Sequence, residues 1–247
     1  MTALDPELDA ALAAFAARRP LLLASDYDGV LSPLVDDPSA AGAEPGVAEA
    51  LERLSAIDGV TIALVSGRGV ADLQRTSGFT GPYRWVGSHG AEFDGPLTGE
   101  LADRRDRLAE RLRPVVATAD GAWLEVKPAS VAVHVRKVQD RVLAARVLEN
   151  ARAVADSSLT MKPGKDVLEL AVTDADKGSA VARLVGELGV DGVGYLGDDV
   201  TDEDAFRAVG ADALTVKVGE GETVARFRVA DPSGVRELLE RLADLLA

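Results

Sequence analysis

Short apolar runs alternate with amphipathic stretches along most of this chain. Leu21 to Ser25 and Val60 to Ser66 are continuous runs of strand length, the second rich in Val, Thr and Ile, and both read as buried parallel strands. Between them, Glu44 to Ile57 puts Val47, Ala50, Leu51 and Leu54 on one helical face, with Pro45 suited to the first turn. Strand, helix, strand in that order implies a right-handed crossover. A helix around Val70 to Thr76 and a third strand near Trp85 to Gly87 follow, and the first twenty residues carry an amphipathic Ala/Leu/Phe period.

The pattern changes character between about Leu97 and Val172. A polar, Arg-rich helical stretch (Thr98 to Thr118) precedes strands at Trp123 to Lys127 and Val131 to Arg136, which read as antiparallel neighbours joined through Pro128, Ala129 and Ser130. A helix over Asp140 to Ala155 leads to strands at Leu159 to Lys162 and Val167 to Val172. Alternation then resumes: helix Lys177 to Leu188, strand Gly192 to Leu196, helix Asp202 to Val209, strands Ala213 to Val218 and Ala225 to Val229, and helix Val235 to Leu246. The expected fold class is α/β: one open, parallel sheet built from residues 1–96 and 173–247, interrupted by a smaller α/β domain at 97–172.

Composition narrows the chemistry. The 247 residues include 47% hydrophobic side chains, enough for a real core, and 41 acidic against 27 basic groups give a net charge of −14. That balance argues against a nucleic-acid partner held through phosphates. With no Cys, disulfides, thiolate zinc sites and thiolate nucleophiles are excluded, and with only His89 and His134, so are His-rich metal sites. No run approaches the roughly 18 apolar residues of a membrane span, and the N-terminus lacks the pattern of an export signal, so a cytoplasmic enzyme or binding protein is expected.

Chemistry must therefore run on carboxylates, hydroxyls, Lys and Arg. The first strand ends in Asp26-Tyr27-Asp28-Gly29-Val30-Leu31, and in open α/β sheets the carboxyl ends of strands face the binding crevice. Asp26 and Asp28 point the same way if strand geometry persists. A second acidic cluster, Gly197-Asp198-Asp199-Val200-Thr201-Asp202-Glu203, follows another strand. Asp202 and Glu203 suit a first helical turn, which leaves Asp198 and Asp199 without that explanation. Collecting these carboxylates in one crevice would cost several kcal/mol unless a cation lay between them, and all-oxygen ligation selects Mg²⁺. Ser66-Gly67-Arg68 closes the second strand, and Asp176-Lys177-Gly178 opens the first helix after the insert.

The order Asp-x-Asp-Gly, Ser, Lys, Gly-Asp-Asp-x-x-Asp resembles the haloacid dehalogenase superfamily of aspartate-nucleophile phosphatases, whose Rossmann-like core carries an inserted α/β cap in one branch. More narrowly, these motifs together with Gly87-Ser88-His89-Gly90-Ala91-Glu92, Glu125-Val126-Lys127 with His134 and Arg136, and Gly164-Lys165 with Glu169 resemble trehalose-6-phosphate phosphatases. Val30 departs from the superfamily, which usually has Thr there, and the segment before His89 lacks the Tyr often found in that position.

The resemblance implies a Mg²⁺-dependent phosphatase acting on trehalose 6-phosphate. Asp26 would be the nucleophile, Asp28 the general acid and base, and Ser66 and Lys177 the phosphoryl ligands. The cation would be held by Asp26, Asp198 and the Asp28 carbonyl, with Asp199 and Asp202 orienting metal waters and Lys177. Arg68, Glu125, Lys127, His134, Arg136, Lys165 and Glu169 would contact the sugar; Arg68 equally suits a salt bridge, and His89 would shape the crevice. A monomer with a small sugar phosphate as its partner is expected. Two rivals remain: a phosphatase or phosphomutase for another sugar phosphate, and a non-catalytic phospho-receiver, against which Asp28 argues because receivers lack an acid two residues after the phosphoacceptor. Gly164-Lys165 is not a nucleotide P-loop, since Asp166 stands where Ser or Thr is required.

Overall fold

A computed structural model describes residues 4–247. In chain order, helix α1 (Pro6–Ala16) is followed by β1 (Leu21–Ser25), α2 (Val47–Ser55), β2 (Val60–Val65), α3 (Val70–Ser77), β3 (Arg84–Gly87) and a short β4 (Glu92–Phe93). Then come α4 (Gly99–Val116), β5 (Trp123–Lys127), β6 (Ser130–His134), α5 (Arg141–Val154), β7 (Thr160–Gly164) and β8 (Val167–Ala171). The chain closes with α6 (Lys177–Leu188), β9 (Gly192–Gly197), α7 (Asp202–Ala208), β10 (Leu214–Val218), β11 (Phe227–Val229) and α8 (Pro232–Leu246).

These elements form two compact units. One runs to Gly95 and resumes at Ala175; the other spans Pro96–Asp174. The first holds a seven-stranded sheet in the order β11-β10-β9-β1-β2-β3-β4, parallel except for the β3–β4 pair. Strand β1 is buried on both faces, which is why its sequence is a continuous apolar run. Leu21 and Leu23 join the cluster containing Leu12 of α1, Leu51 of α2 and Leu239 of α8, while Leu22 and Ala24 join Val181 of α6 and Phe206 of α7 on the opposite side. Each such leucine contributes about 1.5–3 kcal/mol relative to an exposed position.

The second unit is a four-stranded antiparallel sheet, β5-β6-β8-β7, with α4 and α5 on one face only. Val131, Val133, Leu168 and Leu170 pack with Leu108, Leu112 and Val147 of those helices. The alternate residues form the other face, where Glu125, Lys127, His134 and Glu169 lie.

Three local expectations change. Helix α2 begins at Val47, because Gly46 at its N-cap takes a left-handed conformation (φ 92°); Pro45 therefore lies outside the helix. Strand β11 starts at Phe227, since the amide N–H groups of Ala225 and Arg226 bond to the hydroxyls of Thr223 and Thr215 instead of a neighbouring strand. Strand geometry also stops at Ser25, and the Tyr27 carbonyl then accepts from the N–H groups of Val30, Leu31 and Ser32 in a tight turn. No helix among the described residues is long and apolar enough to cross a membrane.

Candidate active site

From β1 the chain builds the sheet outward in one direction through β2 and β3, and in the other through β9 and β10. The carboxyl ends of β1 and β9 are therefore the topological switch point, where open α/β sheets bind ligands. Register makes this concrete: Ser25 pairs with Leu196, and the Asp26 N–H donates to the Leu196 carbonyl at 2.9 Å. Asp26 and Asp198, 172 residues apart, thus leave adjacent strand ends. One carboxylate oxygen from each of Asp26, Asp198 and Asp202 falls within a group no wider than 4.8 Å.

Lys177, the first residue of α6, enters this group as a buried cation. Its Nζ donates to Asp26 Oδ2 (2.5 Å) and Asp202 Oδ1 (2.8 Å). Asp202 is 0% exposed yet fully engaged: Oδ1 also accepts from the Tyr195 hydroxyl (2.7 Å), and Oδ2 accepts from the N–H groups of Asp198 and Asp199 (both 3.0 Å). It holds the lysine and shapes the loop that carries Asp198. Asp199 is exposed and its carboxylate accepts from the Val200 N–H (2.7 Å), so it does not join the cluster.

Burial acts on the two remaining acids. It pushes Asp26 up, with Lys177 opposing and Asp202 adding repulsion, and pushes Asp198 up to about 6 with Asp202 acting in the same direction. A divalent cation at these oxygens would favour the ionised forms. The all-oxygen donor set, held close at an energetic cost, fits Mg²⁺. Gly29 explains how Asp198 reaches it: its φ is +76°, and a Cβ there would lie 2.1 Å from Asp198 Oδ2. Val30, buried at 0% exposure, packs into the apolar cluster beneath.

Asp28 does not point with Asp26, because the chain has already turned. Its two oxygens accept from Arg68 Nε (2.6 Å) and Nη2 (2.7 Å). Arg68 also donates to Asp72 (3.1 Å) and to the Pro38 carbonyl (2.7 Å), so in this structure it makes the salt bridge that was one of its two expected roles. Bonding to Asp28 raises the guanidinium further above its ordinary range. Ser66 is buried, and its Oγ accepts from the Arg68 N–H (3.2 Å). His89 covers this turn in a left-handed conformation (φ 57°); a Cβ on Gly67 would lie 2.7 Å from its ring.

In the second unit, register brings Glu125, Lys127, His134 and Glu169 onto one sheet face. Lys127 and Ser130 both donate to Glu169 (2.8 and 2.7 Å), and these bonds hold its carboxyl below the usual range against the opposing effect of burial. His134 Nε2 lies 2.8 Å from Glu125 Oε2, and its ring stacks on Trp123 at 4.6 Å and 7°. Arg136 lies beyond the end of β6, with its guanidinium carbon 5.4 Å from the centre of the Trp123 ring. Lys165 is exposed in the β7–β8 turn.

A family model described as trehalose-phosphatase matches residues 24–233. The chain belongs to the trehalose-phosphatase family. It is 35% identical over 238 residues to a bifunctional trehalose-6-phosphate synthase/phosphatase of Thermoproteus tenax, covering 92% of this chain and 32% of that protein. It is likewise 35% identical over 251 residues to a trehalose-phosphate phosphatase of Mycobacterium bovis, covering 92% and 62%. The chain thus spans about a third of one relative's length and three fifths of the other's. Among solved structures, the trehalose-6-phosphate phosphatase of Aspergillus fumigatus aligns over 98% of both chains with 28% identity and a TM-score of 0.74.

Family motifs alone did not single out Tyr195 or Lys217. Lys217 is buried near the carboxyl end of β10 and donates to the Asp198 carbonyl, opposite the site's negative charge. Its signal in the sequence is a lysine inside an apolar strand, which requires a buried acceptor. Tyr195 reads as an ordinary core aromatic, and nothing local betrays its bond to Asp202.

Proposed function

We propose that this member of the trehalose-phosphatase family hydrolyses trehalose 6-phosphate to trehalose and phosphate through an aspartyl-phosphate on Asp26. The observation that carries the reading is the convergence of Asp26 and Asp198 from separate strand ends around Lys177, with Asp202 sunk beneath them. Mg²⁺ would be held by Asp26, Asp198 and the Asp28 carbonyl, and when bound it supplies positive charge that lets a carboxylate approach an anionic phosphoryl group.

In the first half-reaction an Asp26 oxygen attacks phosphorus while the bond to the sugar oxygen breaks, and Asp28 gives that oxygen a proton. Asp28 then takes a proton from water as the water oxygen attacks the same phosphorus, releasing phosphate and restoring Asp26. Lys177 and the Ser66 hydroxyl stabilise the phosphoryl oxygens throughout. For Asp28 to act, its bidentate pair with Arg68 must open. Asp199 and Asp202 have different tasks here: Asp202 orients Lys177, and exposed Asp199 is available to metal-bound water.

Recognition of the sugar is assigned to the polar sheet face of the second unit. Glu125, Lys127, His134 and Glu169 present alternating donors and acceptors across neighbouring strands, which suits a neutral, hydroxyl-rich ligand. Arg136 and Lys165 stand at the margin of that face.

The test is phosphate release from trehalose 6-phosphate, glucose 6-phosphate and sucrose 6-phosphate, with Mg²⁺ and with EDTA, for the wild type and Asp26→Asn. Turnover should be largest on trehalose 6-phosphate, depend on the cation and vanish in the variant. Equal rates on all three esters would refute the substrate, and activity retained in Asp26→Asn would refute the nucleophile.

A further inference from the structure

Charge is divided unevenly between the two units. Residues 96–174 contain 13 of the 27 basic and 12 of the 41 acidic side chains, leaving 14 and 29 to the other unit. One unit therefore carries −15 and the other +1, and within the second the arginines concentrate on α4.

Arg104, Arg107 and Arg111 stand three and four residues apart and so share one side of that helix. With Leu108, Asp156 and Leu159 they line a recess of about 270 Å³. Two of the three are anchored to backbone at and just beyond the end of α5: Arg111 Nη2 donates to the carbonyl of Val154, the last residue of that helix, at 2.6 Å, and Arg104 Nη2 donates to the Ser158 carbonyl. These bonds use one donor of each guanidinium and fix its position. Among the described residues Arg107 makes no hydrogen bond or ion pair.

Of the carboxylates near this face on α4, two are engaged elsewhere, and Glu100 and Asp103, four residues before Arg104 and Arg107, do not line the recess. Asp106 pairs with Arg105 (2.6 Å) and Glu110 with Arg113 (3.0 Å). Asp156 alone enters the recess, 3.7 Å from Arg111, and its carboxylate also accepts from the Ser158 N–H (3.0 Å) and hydroxyl, bonds that keep it ionised. Three guanidinium groups against one carboxylate leave an excess of positive charge over an apolar floor formed by Leu108 and Leu159.

We infer that this recess is an anion site for a phosphate group, distinct from the acidic site at the strand ends of the other unit. Planar guanidinium forks match the oxygens of a phosphate, and pre-anchored ones lose little freedom on binding it. The volume suits a small phosphorylated molecule or the free ion. The site needs neither the cation nor Asp26, so it stands independently of the proposed catalytic function.

The experiment follows the Arg111 Nε–H resonance of the whole chain by NMR, assigned by its loss in Arg111→Lys. Inorganic phosphate is titrated against sodium chloride at matched ionic strength. A saturable shift with phosphate and none with chloride is expected, with affinity at least tenfold weaker in Arg107→Glu and an intermediate loss in Arg107→Gln. Equal shifts with both salts, or wild-type titration in Arg107→Glu, would overturn the site. Phenylphosphonate, a non-hydrolysable ester analogue, distinguishes the source: tighter binding than phosphate assigns the site to organic phosphates through the leucine floor, and equal or weaker binding assigns it to the free ion.

Discussion

Replacing Asp202 by asparagine exchanges one oxygen for an NH₂ group and should cost more than any exposed substitution in the acidic loop. Its carboxylate accepts four hydrogen bonds, two per oxygen, at 0% exposure. An amide keeps one acceptor oxygen and turns an NH₂ group towards the other pair of donors. If the oxygen stays with Lys177 and Tyr195, the N–H groups of Asp198 and Asp199 lose their acceptor; if it flips, the buried ammonium loses one. Either way Lys177 loses one of its two opposing charges. Stranding two donors and breaking a buried pair gives a loss of about 3–5 kcal/mol. At this chain length that corresponds to a fall of about 6–20 °C in Tm. Asp199→Asn is the internal control, since that exposed side chain accepts only the neighbouring Val200 N–H, and it should stay within about 0.5 kcal/mol of the wild type. Calorimetry in EDTA at neutral pH measures both. A Tm for Asp202→Asn within about 2 °C of the wild type, or an equal fall in the two variants, would refute the account of how the cluster is supported.

The raised acids set a second expectation. Burial first, then the repulsion of Asp202, lifts Asp198 to about 6, so without cation the folded chain holds a proton that the unfolded chain releases near pH 4. Stability from this group is therefore lost as pH rises from about 4 to 6. In EDTA, Asp198→Asn should gain stability relative to the wild type across that window and then level off, while added Mg²⁺ should favour the wild type; a gap in Tm that is flat with pH would contradict this. Gly29→Ala places a methyl group where Asp198 Oδ2 now lies and strains a left-handed residue, at a cost of about 1–3 kcal/mol. Calorimetric titration should show weaker Mg²⁺ binding in that variant, and an unchanged affinity would remove Gly29 from the site's design.

Much of the architecture is legible locally. Leu21 to Ser25 reads as a doubly buried strand, because an apolar run of strand length finds cover inside a sheet flanked by helices on both faces. The alternation of Glu125 and Lys127 with Leu124 and Val126 likewise marks a strand with one polar face. The acidic loops after β1 and β9 are visible as sequences, and family motifs order them.

What no local pattern contains is adjacency. Asp26 meets Asp198 because β9 docks beside β1, a consequence of how the helices pack on the sheet over a separation of 172 residues. Tertiary structure also sorts the acids by the donors they meet. Asp202 sinks onto Lys177, Tyr195 and two amides while Asp199 stays in solvent, and Asp28 turns to Arg68 once the strand ends at Ser25. Residue type states that a carboxylate is present; whether it becomes a ligand, a support or a surface charge depends on long-range packing, which determines the hydrogen-bond donors and the dielectric around it.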